Sequence, residues 1–240
     1  MSGTGRTKKN DELVRALLDE QGRTYADEAG IRLKDTPQSL YQLLVLSLLL
    51  SARIRADIAV ASARALFAAG MRDARRMADA TWQQRVDALG EGGYRRYDER
   101  TATQLGDGAE LLLDRYGGDL RRLRAAAGGG GSGGSSGGGK GSGGGGGDVE
   151  EEKALLQEFP GIGPTGADIF LREAQGVWPE LRPYIDSKAL AGAERVGLPG
   201  SPAALAKLVD GDDLPRLAAA LVRVALDKEA THQVRETVGA

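Results

Sequence analysis

The residues best suited to bind a ligand lie between 156 and 171, where glycines and prolines interrupt a helical pattern. Pro160 ends the first helix because proline lacks a backbone N–H and restricts the residue before it. Gly161 and Gly163 can both adopt positive φ, and Pro164 is favoured at the first position of a new helix. The sequence therefore predicts a helix, a tight glycine turn and a second helix. Such a turn exposes backbone N–H groups at a helix N-terminus, where a phosphate can bind.

This stretch and the segment after it resemble a known family. Residues 159–167 are similar to the Leu-Pro-Gly-Val-Gly-x-x-x-Ala hairpin of the helix-hairpin-helix (HhH-GPD) DNA glycosylases of the endonuclease III type. Residues 184–190 and 194–198 resemble that family's Val-Asp-Thr-His-Val and Arg-Leu-Gly-Leu segments, with a few extra residues between 176 and 182. The resemblance implies two helical lobes with a catalytic cleft between them. It also implies base-excision repair of double-stranded DNA that contains a damaged or modified base.

Asp186 stands directly before a helical pattern that begins at Ser187. From its position it is an N-cap, because an aspartate side chain can accept the free N–H groups of a first helical turn. In the family the aspartate of this segment is catalytic, so the resemblance gives Asp186 that role. Breaking an N-glycosidic bond builds positive charge on the sugar, and a carboxylate can stabilise that charge and orient the attacking water. The two roles are compatible.

The resemblance also assigns the DNA contacts of the hairpin. Gly161 and Gly163 would donate backbone N–H groups to one DNA phosphate, with Ile162 packing the turn. In the family a potassium or sodium ion sometimes bridges hairpin carbonyls to that phosphate. A plain connection between two helices is the alternative interpretation.

Thr165 occupies the position at which lyase-active relatives carry a Schiff-base lysine. A hydroxyl group cannot form a Schiff base, so we expect a monofunctional glycosylase in which Thr165 contacts DNA. Lys188 is the one lysine close to Asp186 in sequence. It is interpreted as a phosphate contact or a surface charge, and its use as a lyase nucleophile is the alternative.

Arg53 ends a Leu-Ser-Ala-Arg segment that is similar to the family's Leu-Ser-Ala-Gln, whose last residue enters the gap left by the extruded nucleotide. A planar guanidinium could stack on bases there and face phosphates. A solvated arginine after a helix C-terminus is an equally open interpretation. The glycine-containing loop at 90–96 corresponds to a family loop that approaches DNA, or it is an ordinary surface loop.

The composition restricts cofactors and location. The 240 residues include no cysteine and one histidine, which excludes disulfides and a thiolate-held iron–sulfur cluster and argues against a metal site. The net charge of −2 is unlike the basic total of many DNA-binding proteins, although a local basic face is sufficient. No apolar run reaches membrane-spanning length. We expect a cytoplasmic, nucleoid-associated monomer with no cofactor.

The periodicity predicts an all-α fold. We expect a helical barrel domain over 37–171, a second helical domain from 11–36 and 172–240, and a disordered tail at 1–10. The Gly/Ser-rich run at 128–147 is predicted to be a flexible loop inside the first domain. Two other functions stay open: a non-catalytic hairpin DNA-binding protein, and a helical interaction protein with no nucleic-acid role.

Overall fold

The structure is a computed structural model that describes residues 3–129 and 148–239. Within those ranges the regular secondary structure is entirely helical, which confirms the predicted all-α class. The predicted loop at 128–147 lies, after its first two residues, outside the described residues. The helices are α1 (Gly3–Gln21), α2 (Tyr25–Glu28), α3 (Pro37–Ser51), α4 (Ala56–Ala68), α5 (Ala74–Asp79), α6 (Trp82–Glu91), α7 (Asp98–Tyr116), α8 (Leu120–Gly129), α9 (Val149–Leu156), α10 (Pro164–Ala174), α11 (Ser187–Val196), α12 (Pro202–Leu205), α13 (Leu214–Leu226) and α14 (Lys228–Gly239), with short 3₁₀ turns before α11 and between α12 and α13.

The chain divides into two compact units. Unit 1 comprises Met1–Glu28 and Leu171–Ala240, and unit 2 comprises Ala29–Phe170. The sequence analysis grouped residues 29–36 with 172–240. The structure instead places them in unit 2, together with most of the predicted barrel domain. Among the described residues no helix has the length and apolar character needed to cross a bilayer.

Unit 2 is built around α3, whose apolar residues are buried along most of its length. The start of the helix is fixed locally, because the Thr36 side chain accepts a hydrogen bond from the Ser39 backbone N–H at 3.4 Å and Pro37 is the first helical residue. Helices α4 and α8 pack against α3, while α5 and α6 pack against α7. Helix α3 therefore fixes the positions of the segments that flank it at both ends.

Unit 1 is built around α13, which packs against α1, α11 and α14. Helices α11 and α13 approach so closely that a Cβ atom on Gly192 would lie 1.9 Å from the Leu221 carbonyl oxygen. The shared core consists of aliphatic side chains, among them Leu17, Leu217 and Leu221, all of which are fully buried. This packing fixes α11, the helix that carries Asp186 at its N-terminus.

Three helical segments differ from the sequence interpretation. Helix α1 begins at Gly3, so it includes most of the tail that was predicted to be disordered. Once the apolar stripe of α1 is docked, extending the helix costs little for each added residue. Helices α2 and α14 were not predicted: α2 has only four residues, too few to show a period, and α14 begins two residues after α13 ends. In α14 the side chain of Thr231 donates to the Val224 carbonyl at 2.8 Å, a tertiary link that periodicity does not reveal.

Candidate functional site

The glycine turn has the predicted order of helix, turn and helix, but its two glycines differ. Gly161 has φ +86°, and a Cβ atom there would lie 2.8 Å from Gln104 Oε1 and 3.1 Å from Leu48 Cδ1. The positive φ favours glycine at that position, and any other residue would also require the Gln104 side chain to move. Gly163 could adopt positive φ but does not, since it is not among the glycines with positive φ. It directly precedes Pro164, and a residue before proline favours extended backbone.

The turn exposes backbone N–H groups and buries one side chain. Ile162 is 4% exposed and donates its N–H to the Phe159 carbonyl at 3.0 Å. Gly161, Gly163 and Thr165 are exposed. The first backbone hydrogen bond of α10 runs from Ala167 to Gly163 at 3.0 Å, so the N–H groups of the preceding turn have no intrahelical acceptor. This combination of a plugged turn and outward N–H groups can bind an oxyanion.

A cleft of about 400 Å³ lies beside the turn in unit 2. Arg53 and Gly161 both line it, so the structure brings together two residues that the sequence assigned separately to DNA binding. The cleft also contains Tyr97 and Arg100, which the sequence interpretation did not assign. The full lining is Leu48, Ser51, Ala52, Arg53, Tyr94, Tyr97, Arg100, Thr101, Gln104 and Gly161.

The two tyrosines of this cleft have different environments. Tyr94 is 2% exposed, and its phenolic oxygen accepts a hydrogen bond from the Thr101 hydroxyl at 3.1 Å. Tyr97 is 36% exposed, and the Arg96 guanidinium lies 5.3 Å from its ring centroid. Tyr94 therefore anchors the loop before α7, while Tyr97 offers an aromatic face and neighbouring positive charge. Aromatic faces and arginines together are typical of surfaces that bind unpaired bases and phosphates.

Asp186 lies in unit 1 and is the N-cap of α11. Its Oδ1 accepts the Ala189 backbone N–H at 2.8 Å, which is the capping role expected from the sequence. Its Oδ2 accepts two hydrogen bonds from the Arg172 guanidinium, through Nε at 3.1 Å and through Nη2. The side chains of Asp186 and Arg172 are each 5% exposed. The carboxylate is thus one half of a buried ion pair.

Arg172 belongs to a buried polar cluster at the C-terminal end of α10. The next residue, Glu173, is 2% exposed and accepts backbone N–H groups from Tyr25 and Ala26, both at 2.8 Å. Burial raises the pKa of Glu173 to about 7, opposed by those two hydrogen bonds and by the charge of Arg172. Gln175, also fully buried, donates to the Tyr184 carbonyl at 2.9 Å and accepts its N–H at 3.0 Å.

The sequence interpretation missed Arg172, Glu173 and Gln175. The available signal was their position, because Arg172 and Glu173 directly follow the apolar run 169–171 of α10 and Gln175 comes just after the helix ends. Lys188 is exposed in the first turn of α11 and has no ion-pair partner among the described residues. The described residues contain no group of three or more His, Cys, Asp or Glu side chains arranged to hold a metal.

No protein-family model matches the chain, and no curated protein matches it. Among solved structures it is similar to a trapped endonuclease III–DNA covalent intermediate (an estranged-adenine complex) and to a non-covalent endonuclease III–DNA complex. Each alignment covers 89% of this chain and 84% of the other, at 15% identity, with TM-scores of 0.46 and 0.47. A likeness at this level does not by itself establish a family.

Proposed function

We propose that this chain is a base-excision DNA glycosylase that holds one strand of a damaged duplex through its glycine turn. The observation that carries the proposal is the geometry of that turn. Gly161 has a positive φ that favours glycine, Ile162 plugs the turn, and the turn residues Gly161, Gly163 and Thr165 are exposed. A phosphate fits such a site because the helix N-terminus adds a favourable dipole.

The cleft beside the turn supports the same function. Arg53 and Arg100 supply positive charge next to Gly161, and Tyr97 supplies an exposed ring. Phosphate contacts fix the position of a protein on DNA, and stacking can hold a displaced base. We expect Arg53 to contact the DNA strand that passes the turn. This favours the first interpretation of Arg53, as a residue that stacks on bases, over the second, as a solvated surface arginine.

Asp186 is the proposed catalytic carboxylate. A carboxylate offers about four acceptor positions, and three described donors use one position on Oδ1 and both on Oδ2. The remaining position on Oδ1 is the one that could accept a proton from an attacking water or face the sugar as its charge develops. Arg172 is then a positioning residue, because it fixes the orientation of the carboxylate without touching substrate.

The proposed reaction stops at base release. Thr165, at the exposed turn, has no amine with which to attack an abasic sugar. Borohydride reduction in the presence of abasic DNA tests this directly. We expect no covalent adduct; an adduct that disappears in Lys188→Ala would instead establish a bifunctional glycosylase/lyase.

A second candidate function is a non-catalytic DNA-binding protein, and the Arg172–Asp186 pair favours it. An ion pair whose side chains are 5% exposed presents little negative potential to a substrate. In that case Asp186 would serve only to cap α11 and to neutralise Arg172. The turn and its cleft would still bind DNA.

Asp186→Asn separates the two candidates. A panel of duplexes with different damaged bases is incubated with each protein, and abasic sites are counted after alkaline cleavage. If the chain is a glycosylase, Asp186→Asn loses base release while DNA affinity is retained. Because this variant leaves Arg172 buried without its partner, R172M/D186N is measured as well. Base release by either folded variant at the wild-type rate would exclude Asp186 as the catalytic group.

A further inference from the structure

A second positively charged cleft lies in unit 2, next to the N-terminal end of α3. It encloses about 820 Å³. Four of its lining side chains are cationic, namely Arg32, Lys34, Arg64 and Arg72, and all four are exposed. No carboxylate is among the described residues that line it. This concentration of charge is not a consequence of composition, because the whole chain carries a net charge of −2.

This cleft is distinct from the one beside the glycine turn. It uses the N-terminal part of α3, including Gln38, whereas the other cleft uses Ser51 at the C-terminal end. With a rise of 1.5 Å per residue, the backbones of these two positions are about 20 Å apart along the helix axis. One phosphate group cannot contact both clefts.

Two acidic residues near the cleft have contacts outside its lining. The carboxylate of Asp35 lies 3.8 Å from the Arg124 guanidinium, on α8. Asp73 caps α5 by accepting the Arg76 backbone N–H at 2.9 Å. The lining therefore presents the positive charges of Arg32, Lys34 and Arg72 with no carboxylate among its described residues, an arrangement that favours an anionic ligand.

The backbone that carries two of the cations is fixed before any ligand binds. Ser39, which is 6% exposed, accepts the Lys34 backbone N–H at 2.9 Å and donates its hydroxyl to the Arg32 carbonyl at 3.1 Å. The Arg72 side chain is also held, because its Nε donates to the Phe67 carbonyl at 2.8 Å. The N–H groups on its two terminal nitrogens can therefore donate to a ligand. A preformed site loses less entropy when it binds.

We propose that this cleft binds the sugar–phosphate backbone of a nucleic acid, as a second site separate from the glycine turn. Guanidinium groups match phosphate geometry, and Gln38 and Gln42 add amide donors to the lining. An acidic protein partner fits less well. The aromatic residue in the lining, Phe67, is only 7% exposed, so the cleft offers no aromatic face for the apolar anchors that protein interfaces use.

The test compares two variants with the same charge. R32A/K34A removes two cleft cations, and K8A/K9A removes two exposed lysines of α1 that do not line the cleft. Each variant has a net charge of −4, which is −2 less the two cations removed. A fluorescent duplex is titrated by anisotropy at 50 and 200 mM salt, and hydrogen exchange of residues 32–42 is followed with and without the duplex.

We expect the duplex to protect residues 32–42 in the wild type and in K8A/K9A but not in R32A/K34A. Loss of two phosphate contacts should reduce the change in affinity between the two salt concentrations by about 12-fold. Unchanged protection and salt dependence in R32A/K34A would overturn the proposal. Displacement of the duplex from this segment by polyglutamate of equal charge would also overturn it, in favour of an acidic protein partner.

Gly163→Ala distinguishes this site from the proposed function. It alters the glycine turn, so protection of residues 32–42 should persist in this variant. If Gly163→Ala binds duplex as tightly as the wild type and the turn shows no protection, the proposed role of the turn fails while the basic cleft stands. Loss of protection at 32–42 in Gly163→Ala would show that there is one DNA site and not two.

Discussion

The buried pair of Arg172 and Asp186 allows a quantitative test of how unit 1 is stabilised. Both side chains are 5% exposed, so removing either partner leaves a charge buried without compensation. Such a loss typically costs about 3–5 kcal/mol. Asp186→Asn is the informative change, because asparagine caps a helix about as well as aspartate and can still accept the Ala189 N–H. Its cost therefore reports the ion pair and not the cap.

We expect Asp186→Asn and Arg172→Met each to lower the free energy of unfolding by about 3 kcal/mol or more. R172M/D186N should lower it by much less than the sum, because no buried charge is then left unpaired. Urea unfolding followed by far-UV circular dichroism at pH 7 measures all three. The matched control is Asp57→Asn, which breaks an exposed pair.

In that control pair the Asp57 carboxylate lies 2.7 Å from the Arg55 guanidinium, but the two side chains are 61% and 79% exposed. Exposed pairs contribute about 0–1 kcal/mol, so Asp57→Asn should change stability little. If Asp186→Asn costs no more than Asp57→Asn, or if the two single costs add in the double variant, the buried pair does not exist in solution. The positioning role proposed for Arg172 would then be refuted as well.

Three further predictions concern Glu173, the glycine turn and Arg53. The pKa of Glu173 is raised from 4.5 to about 7, so the folded protein holds the carboxyl proton of Glu173 more tightly than the unfolded chain does. The free energy of unfolding should therefore fall as pH rises between these two values. Urea unfolding of the wild type and of Glu173→Gln across pH 4–8 should show this fall in the wild type and not in the variant. Gly161→Ala should lower the free energy of unfolding by about 1–3 kcal/mol through backbone strain. A Cβ atom at Gly163 has no atom within 4 Å, so Gly163→Ala should change stability by no more than about 0.5 kcal/mol while weakening DNA binding. Thermal unfolding measures the stabilities, and fluorescence anisotropy measures DNA binding. Arg53→Ala should weaken DNA binding and reduce the slope of log affinity against log salt by about 0.9, and an unchanged slope would place Arg53 outside the DNA interface.

Much of the fold could be predicted because its signals are local. Thr36 and Pro37 mark the start of α3, and the capping box of Thr81 and Gln84 marks the start of α6. Each signal lies within four residues of the helix end that it specifies. The capping role of Asp186 was predictable for the same reason, since Ser187 opens the helix that it caps.

The features that could not be predicted depend on residues distant in sequence. Helix α2 has only four residues, and its first backbone N–H groups are satisfied by Glu173, which is 148 positions away from Tyr25. No pattern within α2 indicates that partner. Likewise, the cleft beside the turn forms only when the start of α7 and the end of α3 lie next to Gly161. The sequence analysis identified Arg53 as a candidate DNA contact, but it could not identify Tyr97, which lines the same cleft.

The end of α10 shows why two charged residues directly follow the apolar run 169–171. Arg172 binds the cap of α11, while the adjacent Glu173 binds the N-terminus of α2. Opposite charges on neighbouring residues thus attach two helices of unit 1 to the same short segment, and each charge lowers the cost of burying the other. Since Arg172 and Glu173 have structural partners, the proposed chemistry rests on the Asp186 Oδ1 acceptor position that no donor among the described residues uses. The proposed catalytic role of this chain therefore depends on that single oxygen atom.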